Sequence, residues 1–155
     1  MSAARPAAYV AVVGAGDDAS PAALEDACAV GALLAARGVV VVCGGLGGVM
    51  AAACRGAVDA GGTTLGILPG SDRLAANPWV TVAVASGLGE LRNGLVVRCV
   101  DAVVAIAGGV GTLSEIALAL KAGKPVIGLG TWEIPGVRDA ASPAEAVAWA
   151  LRTHN

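Results

Sequence analysis

Short runs of residues without a polar side chain are the feature that most limits how this chain can fold. Residues 39–43 and 102–106 are two such runs, and each leads into a glycine-rich segment followed by a helical pattern. Strands that are apolar on both faces have to be covered by helices on both sides, as in a parallel sheet. With right-handed crossovers, the chain is predicted to be α/β, with one Rossmann-like three-layer domain over residues 1–155 and a mainly parallel sheet.

The alternation of strand and helix signals predicts where the elements lie. Strands are predicted at residues 9–13, 39–43, 63–68, 79–84, 102–106 and 125–129. Helices are predicted at residues 21–37, 49–60, 89–100 and 112–122, with a last helix opened by the capping box Ser142-Pro143-Ala144-Glu145. The segment between residues 71 and 78 is the loosest in the chain, because it is built from small and polar residues.

Composition excludes several classes of function. The chain carries a formal net charge of −2 and only 3% aromatic residues, which argues against nucleic-acid binding by counterion release or base stacking. No stretch is typical of a membrane span or of a signal peptide, so a cytoplasmic protein without a membrane partner is expected.

The cysteines and the histidine do not predict a metal site. Cys28, Cys43, Cys54 and Cys99 lie in apolar segments without a C-x-x-C pair, so they are expected to be small buried hydrophobes. The lone histidine is His154, next to the C-terminus. We therefore expect no metal and no required cofactor.

Glycine-bearing loops follow several of the predicted strands. They are the loops 14–16, 44–48, 69–70 and 108–112. Because the carboxyl ends of parallel strands meet at one edge of the sheet, these loops are expected to surround one ligand, and exposed backbone N–H groups there suit a phosphate. A dinucleotide is disfavoured, because the second strand ends in Cys43-Gly44 without an acid and because Asp17 and Asp18 would repel a pyrophosphate.

Glu115 has two interpretations. Residues 112–115 fit a capping box in which Glu115 bonds back to the helix cap, which would be a structural role. The glycines before it favour a functional role beside a bound anion. Arg92 and Asn93 lie at the start of a predicted helix near the same edge, where a cation opposes the helix dipole and therefore suggests an anionic partner. Trp132 is predicted to pack in the core or a dimer interface, with stacking on a base as the alternative.

Taken together, these motifs resemble the Lonely Guy-like superfamily of Rossmann-fold proteins, once widely labelled possible lysine decarboxylases. The signature of that superfamily, P-G-G-x-G-T-x-x-E, is matched by residues 107–115. Its second glycine-rich segment is matched by residues 43–50, with Gly66-Ile67-Leu68-Pro69 downstream. The resemblance covers residues 10–129 and implies a homodimer or a higher homo-oligomer.

Two departures from the signature favour one branch of the superfamily. The branch that hydrolyses nucleoside 5′-monophosphates, cytokinin forms included, carries Arg-Lys before the signature strand and uses that Arg with the motif Glu. Here the pair is Arg92-Asn93, and Ala107 replaces the proline. The chain is therefore more similar to the molybdenum-cofactor carrier branch. This resemblance implies that the chain binds a phosphorylated ligand.

The first interpretation is a cytoplasmic binding protein for a nucleotide or another phosphorylated small molecule, a molybdenum-cofactor-like pterin included. Backbone N–H groups and the Thr112 hydroxyl would hold the phosphate, Arg92 would neutralise its charge, and Glu115 would accept hydrogen bonds from a polyol. The predicted ligand-binding residues are Gly14, Gly44, Gly45, Gly47, Gly48, Pro69, Arg92, Asn93, Gly108, Gly109, Gly111, Thr112 and Glu115.

Two other interpretations stay open. In a phosphoribohydrolase that releases a free base and ribose 5-phosphate, Glu115 and Arg92 would be the catalytic residues, because a carboxylate stabilises the positive charge that develops on the ribose. In an oligomeric scaffold with a vestigial pocket, Glu115 would only cap a helix.

Overall fold

The computed structural model describes residues 7–152, in which strands and helices alternate. The strands are β1 (Tyr9–Gly14), β2 (Val40–Cys43), β3 (Thr64–Leu68), β4 (Val82–Ala85), β5 (Ala102–Ile106), β6 (Val126–Leu129) and β7 (Val137–Asp139). The α-helices are α1 (Pro21–Ala36), α2 (Val49–Asp59), α3 (Arg92–Arg98), α4 (Val110–Lys121) and α5 (Pro143–Arg152). Short 3₁₀ turns lie at Arg73–Ala75 and Gly89–Leu91.

The strands form one sheet in the order β4-β3-β2-β1-β5-β6-β7, and every neighbouring pair is parallel. The predicted α/β fold with a Rossmann-like sheet is confirmed, and the sheet is wholly parallel rather than mainly so. The chain leaves β1 in one direction across the sheet and returns to its other side at β5, so the order reverses between these two strands. That switch point is where open parallel sheets bind ligands.

Helices cover both faces of the sheet, as the apolar strands require. On one face α1, α2 and α5 pack on Val10, Val12 and Val104. On the other face α3 and α4 pack on Ala11, Val13 and their neighbours. The alternate residues of β1 thus belong to two cores, which is why a strand with no polar position is stable here.

Two glycines bring α1 and α2 into direct backbone contact. A Cβ at Gly31 would lie 2.0 Å from the carbonyl oxygen of Ala53, and a Cβ at Gly56 would lie 2.0 Å from that of Cys28. Any larger residue at either position would push the helices apart. The pair therefore packs as one unit on its side of the sheet.

The predicted start of α4 is wrong, and with it the capping interpretation of Glu115. The helix begins at Val110 with Gly109 as its N-cap, so Thr112 is the third helical residue and Glu115 lies in the second turn. From there Glu115 cannot reach the cap as the third residue of a capping box does. Sequence rules place glycine outside a helix, but Gly111 lies inside the first turn of this one.

Other boundaries also differ from the predictions. The strand predicted at residues 79–84 begins only at Val82, because Thr64 and Thr81 exchange side-chain hydrogen bonds with each other's backbone at the start of the pair. The helix predicted at 89–100 is a 3₁₀ turn followed by the seven residues of α3. Strand β7 was not predicted, because it has three residues and no buried side chain.

The expectation of four buried cysteines holds for two of them. Cys43 and Cys54 are fully buried with their sulfurs 3.5 Å apart. The hydrogen bond between the two thiols, together with burial, raises the pKa of Cys43. Cys99 is exposed, and Cys28 is half-buried in the lining of a hollow between α1 and α2.

Neither a membrane span nor a metal cluster is found in the described part of the chain. None of the helices within residues 7–152 is long and apolar enough to cross a bilayer. Within the same residues, no group of three acidic, histidine or cysteine side chains could hold a metal ion. His154 lies outside the described residues.

Candidate functional site

A cleft of about 310 Å³ opens at the switch point, beyond the carboxyl ends of β1 and β5. The predicted residues that line it are Gly14, Arg92, Asn93, Gly109, Gly111, Thr112 and Glu115. The other predicted residues are not among its lining residues: Gly44, Gly45, Gly47, Gly48, Pro69 and Gly108. The β5–α4 loop and the start of α3 therefore form the cleft, and the loop after β2 supports it from behind.

The cation of the cleft is Arg92, which is 9% exposed. Its guanidinium donates from Nε to the carbonyl of Ile67 at 2.9 Å, from Nη2 to the carbonyl of Gly44 at 3.4 Å, and from Nη1 to the amide oxygen of Asn93. These acceptors are neutral, so they fix the orientation of the guanidinium without cancelling its charge. A guanidinium held in this way is ready to pair with an anion.

Asn93 stands where the hydrolase pattern has a lysine, and it links α3 to α4. Its Nδ2 donates to Ser114 Oγ at 3.4 Å, and Ser114 Oγ donates in turn to the carbonyl of Gly111 at 2.7 Å. The side chain of Asn93 is 9% exposed, so it is part of the cleft wall. The cleft consequently carries one cation fewer than a site with Arg-Lys would.

Glu115 projects from the second turn of α4 into the cleft. Burial raises the pKa of its carboxyl from an ordinary 4.5 to about 7, and the positive charge of Arg92 opposes part of that rise. Near neutral pH this group is therefore divided between its acid and its carboxylate. A half-buried carboxyl with a pKa close to neutrality, next to a guanidinium, is typical of functional sites.

Gly109 and Gly111 are glycines that the fold does not require. Neither has a positive φ, and a Cβ built on either would have no other heavy atom within 4 Å. Both border the cleft at the N-terminus of α4, where the N–H groups of residues 110–112 lie before the first intrahelical hydrogen bond, from Leu113 to Gly109. The backbone at these two positions is thus bare toward the cleft and can be approached closely by an anion.

Gly108 has a different reason to be glycine. Its φ is +104°, and a Cβ there would lie 2.2 Å from Oγ1 of Thr112. Thr112 is 3% exposed and packs against this bare position. Gly108 therefore shapes the loop, and it lets the Thr112 side chain fold back beside the cleft.

Ala107 explains why the signature proline is missing. Its φ is +50°, which a proline ring cannot adopt because it fixes φ near −65°. The N–H of Ala107 also donates to the carbonyl of Leu129 at 3.0 Å, and its carbonyl accepts from Thr131 Oγ1 at 2.7 Å. This loop thus has a backbone conformation that the P-G-G pattern could not form.

The loop between β2 and α2 gives the cleft its shape from behind. A Cβ at Gly44 would lie 2.7 Å from Nη2 of Arg92, so this glycine leaves room for the guanidinium. Gly45 and Gly48 have φ values of +80° and +64°, and a Cβ at Gly48 would lie 2.1 Å from the carbonyl oxygen of Gly16. These glycines are needed for close packing.

Four lining residues were not predicted: Val13, Gly16, Asp18 and Met50. Gly16 belongs to the glycine-bearing loop 14–16, which was expected to border the ligand. That a Cβ at Gly16 would meet no neighbouring atom is visible only in the structure. The sequence analysis considered Asp18 only as an obstacle to a pyrophosphate, whereas Asp18 is one of the residues that line the cleft. Met50 reaches the cleft from α2, a contact that no local sequence pattern announces.

Trp132 contacts the β5–α4 loop. Its Nε1 donates to the carbonyl of Gly109 at 3.0 Å, while the side chain is 39% exposed. It is not among the lining residues of the cleft. Trp132 thus helps to position Gly109 through this hydrogen bond.

Comparison with known proteins places the chain in a family. The sequence model of the SLOG cluster4 family matches residues 7–151 of this chain. An uncharacterised protein of Archaeoglobus fulgidus is 40% identical over 143 residues, which are 92% of this chain and 93% of that protein.

Two solved structures with the same fold are those of a molybdenum cofactor binding protein and a molybdenum cofactor carrier protein. The molybdenum cofactor binding protein of the phototrophic bacterium Rippkaea orientalis is 36% identical, with a TM-score of 0.92 over 97% of this chain and 99% of that one. The Moco carrier protein of Chlamydomonas reinhardtii is 35% identical, with a TM-score of 0.87 over 96% of this chain and 98% of that one. The predicted resemblance to the molybdenum-cofactor carrier branch is confirmed.

Proposed function

The chain belongs to the SLOG cluster4 family of Lonely Guy-like Rossmann-fold proteins, and we propose that it binds a nucleotide or another phosphorylated small molecule, with a molybdenum-cofactor-like pterin as the leading candidate. Two similar structures are those of proteins named for binding or carrying the molybdenum cofactor, which supports a ligand-binding role.

The observation that carries the proposal is the bare backbone at Gly109 and Gly111. Both glycines border the cleft without a φ value or a neighbouring atom that would require them. The N-terminus of the twelve-residue helix α4 faces the same space and favours a negative charge. A phosphate explains why the two positions have no side chain, because its oxygens could then approach the N–H groups directly.

Arg92 and Glu115 would act on the ligand in opposite ways. The Arg92 guanidinium attracts the phosphate, while a charged Glu115 would repel it and a protonated Glu115 would donate a hydrogen bond to it. Since the pKa of Glu115 is about 7, binding of an anion would favour its protonated form. The affinity for a phosphate would therefore depend on pH around neutrality.

Calorimetric titration with AMP, GMP, ribose 5-phosphate, adenosine and isolated molybdenum cofactor tests the proposal. We expect binding of phosphorylated compounds and at least a hundredfold weaker binding of adenosine than of AMP. Arg92→Gln is expected to lose most of that difference. Arg98→Gln, an exposed position at the other end of α3, is the matched control and should bind as the unmodified protein does. Absence of binding by every phosphorylated compound at millimolar concentration would refute the proposal.

A second candidate function is hydrolysis of a nucleoside 5′-monophosphate. The specific observation in its favour is the carboxyl of Glu115, which has a pKa of about 7 and lies beside Arg92 in the cleft. A carboxyl near its pKa at working pH is suited to general acid–base catalysis, and its charged form would stabilise positive charge on a ribose. Asn93 and Ala107 depart from the pattern of the hydrolase branch and favour binding alone.

Incubation with AMP and cytokinin monophosphates separates the two functions. Release of free base and ribose 5-phosphate, lost in Glu115→Gln, would establish the hydrolase. Intact nucleotide after prolonged incubation, with binding retained, would establish the binding protein.

We also propose that the chain forms a homodimer through the α3 side of the sheet. Large apolar side chains are exposed together there, on β4, the turn after it, α3 and the start of α4: Val82, Val84, Leu88, Leu91, Leu95 and Val110. Because Leu65 pairs with Val82 and Ile67 with Val84, the two valines extend the buried face of β3 into solvent. An apolar patch of this kind is typical of an interface.

Light scattering coupled to size-exclusion chromatography tests the assembly. A dimer or larger assembly is expected, and Leu91→Glu should convert it to monomers, whereas Leu74→Glu, at a 92% exposed residue outside the patch, should not. A monomeric unmodified protein would refute this assembly. The cytoplasmic location predicted from the sequence stays a prediction.

A further inference from the structure

A larger hollow lies beside the cleft and has no role in the function proposed above. Its volume is about 490 Å³, and we call it the outer pocket, defined by Asp17, Leu24, Glu25, Ala52, Arg55 and Trp79. It lies between the first halves of α1 and α2, with Trp79 from the segment before β4 as a further wall.

The outer pocket and the cleft are parts of one groove. Gly16 lines both of them, and it also lines a hollow of about 420 Å³ that includes Asp17, Gly47 and Met50. Met50 lines this middle hollow as well as the cleft. The groove therefore passes around the turn between β1 and α1, where a Cβ at Gly16 would meet no heavy atom within 4 Å.

Trp79 is fixed through its own backbone. Its N–H donates to Oδ1 of Asn77 at 3.0 Å, and its carbonyl accepts from Oγ1 of Thr64 at 2.6 Å. Asn77 itself is tied to the loop after β2, because its backbone N–H donates to Gly45 and its Nδ2 to Leu46, both at 2.9 Å. These hydrogen bonds fix the backbone from which the indole projects, and the Arg55 guanidinium lies over the ring at 5.9 Å, so the Trp79 side chain stands at the edge of the groove as a candidate surface for stacking.

The two ends of the groove differ in how their arginine is paired. The rim of the outer pocket carries the carboxylates of Asp17 and Glu25, while Arg55 lies over the Trp79 ring at 5.9 Å and faces Asp59 at 3.8 Å. This end repels a phosphate and offers acceptors for N–H groups. The cleft also has two carboxyl groups, those of Asp18 and Glu115, but the hydrogen-bond acceptors of its Arg92 are neutral, and bare backbone N–H groups lie beside it.

We propose that the outer pocket binds the planar heterocycle of the phosphorylated ligand, a ring that bears amino and ring N–H groups such as guanine or a pterin. This inference rests on the proposed function, since the cleft holds the phosphate of the same molecule. Trp79 supplies a surface for stacking, and Asp17 and Glu25 accept hydrogen bonds from the amino edge of the ring. The small side chains of Ala51 and Ala52 leave the depth that a flat ring needs.

The charges also fix the direction in which the ligand lies. A phosphate at the outer pocket would face two carboxylates beside a guanidinium that is already paired with Asp59, whereas in the cleft Arg92 and the N-terminus of α4 offset the carboxyl groups. The proposed direction avoids this unfavourable placement of the phosphate. The groove therefore distinguishes the two ends of the ligand before any shape is considered.

The test measures binding of GMP, guanosine and ribose 5-phosphate by calorimetry and by quenching of tryptophan fluorescence. Trp79→Leu and Glu25→Gln are each expected to weaken GMP and guanosine about tenfold and to change ribose 5-phosphate less than twofold. Asp26→Asn is the matched control for Glu25→Gln, because Asp26 is the next residue on α1 and is not among the residues that line the pocket.

The three ligands distinguish failure of this inference from failure of the proposed function. Ribose 5-phosphate that does not bind the unmodified protein would refute the phosphate site, while guanosine still reports on the outer pocket. GMP that binds both variants as tightly as the unmodified protein would overturn the inference, because Glu25 is exposed and its replacement by glutamine leaves the fold intact.

Discussion

The two glycine-rich loops after β2 and β5 look alike in sequence and differ in what their glycines do. In the loop 44–48, Gly45 and Gly48 have positive φ values, and a Cβ on Gly44, Gly45 or Gly48 would collide with a neighbour, whereas a Cβ on Gly47 would meet only the movable carboxylate of Asp17. In the loop 108–111 only Gly108 is constrained in this way, whereas Gly109 and Gly111 face open space.

This difference separates glycines that build a wall from glycines that leave room for a ligand. Where the fold already explains a glycine, the residue says nothing about binding. Where neither dihedral angles nor packing explain a glycine and the residue also borders the cleft, as at Gly109 and Gly111, close approach of a ligand is a physical reason for it. The same substitution should therefore have opposite consequences in the two loops.

Gly48→Ala is the largest expected effect, and it falls on stability. The added Cβ would lie 2.1 Å from the Gly16 carbonyl oxygen at a φ of +64°, so strain and overpacking combine. We expect a loss of about 3 kcal/mol or more in the free energy of unfolding, measured by denaturant titration. A variant as stable as the unmodified protein would show that the loop after β2 has room to relax.

The second largest expected effect on stability comes from the carboxyl group of Glu115 in α4, the helix that follows the loop 108–111. The pKa of Glu115 is raised in the folded protein from 4.5 to about 7, so the folded state holds this proton more tightly than the unfolded chain. Its contribution to stability is full below pH 4.5 and is lost as the pH rises through about 7.

Glu115→Gln should therefore remove about 2 kcal/mol of the fall in stability between pH 5 and pH 8. Denaturant titrations across that range measure it, with the exposed Glu90→Gln as the control. Parallel stability curves for Glu115→Gln and the unmodified protein would contradict a buried, protonated carboxyl.

Gly111→Ala sharpens the comparison, because stability and binding should move in opposite directions. Alanine in the first turn of α4 should stabilise the protein by about 0.5–1 kcal/mol, since glycine is a poor helix former. Its methyl group would occupy the approach to the N–H groups and weaken binding of AMP or ribose 5-phosphate about tenfold.

Gly94→Ala is the matched control for Gly111→Ala. Gly94 is also helical with open space at its Cβ, but it does not line the cleft, so its replacement should stabilise without changing affinity. Equal affinities for both variants would mean that the glycine of α4 does not serve a ligand.

Trp132→Phe is the smallest effect. It keeps an aromatic side chain and removes the Nε1 hydrogen bond to the Gly109 carbonyl, which is worth about 1 kcal/mol. We expect a three- to fivefold weaker affinity for the phosphorylated ligand with little change in the unfolding midpoint, roughly the value of one hydrogen bond. An unchanged affinity would assign the loop conformation to Gly108 and Ala107 alone.

Hydrophobic patterning was enough to predict the fold, because strands with two apolar faces admit few architectures. It was not enough to place the start of α4, since propensity rules end a helix at glycine and this one includes Gly111 in its first turn. Strand β7 is too short and too exposed to leave a periodic signal.

The site was predictable where one segment contributes several residues, as at 109–115, and at Arg92, whose charge is out of place in an apolar stretch. Met50 and Asp18 were missed as lining residues because they reach the cleft from other elements, a relation that exists only after folding. The raised pKa of Glu115 was equally invisible, because it comes from burial by distant parts of the chain.

The contact of α1 and α2 through Gly31 and Gly56 has a mechanical consequence. Backbone packed directly on backbone resists sliding and tilting, so the two helices should move as a rigid body. The α1–α2 side of the groove is then a fixed platform. On the opposite side Arg92 is held to β3 and to the loop after β2 by its hydrogen bonds to Ile67 and Gly44, so we expect a ligand to meet its cation in a position that is set before binding, with little ordering of the protein left to oppose affinity.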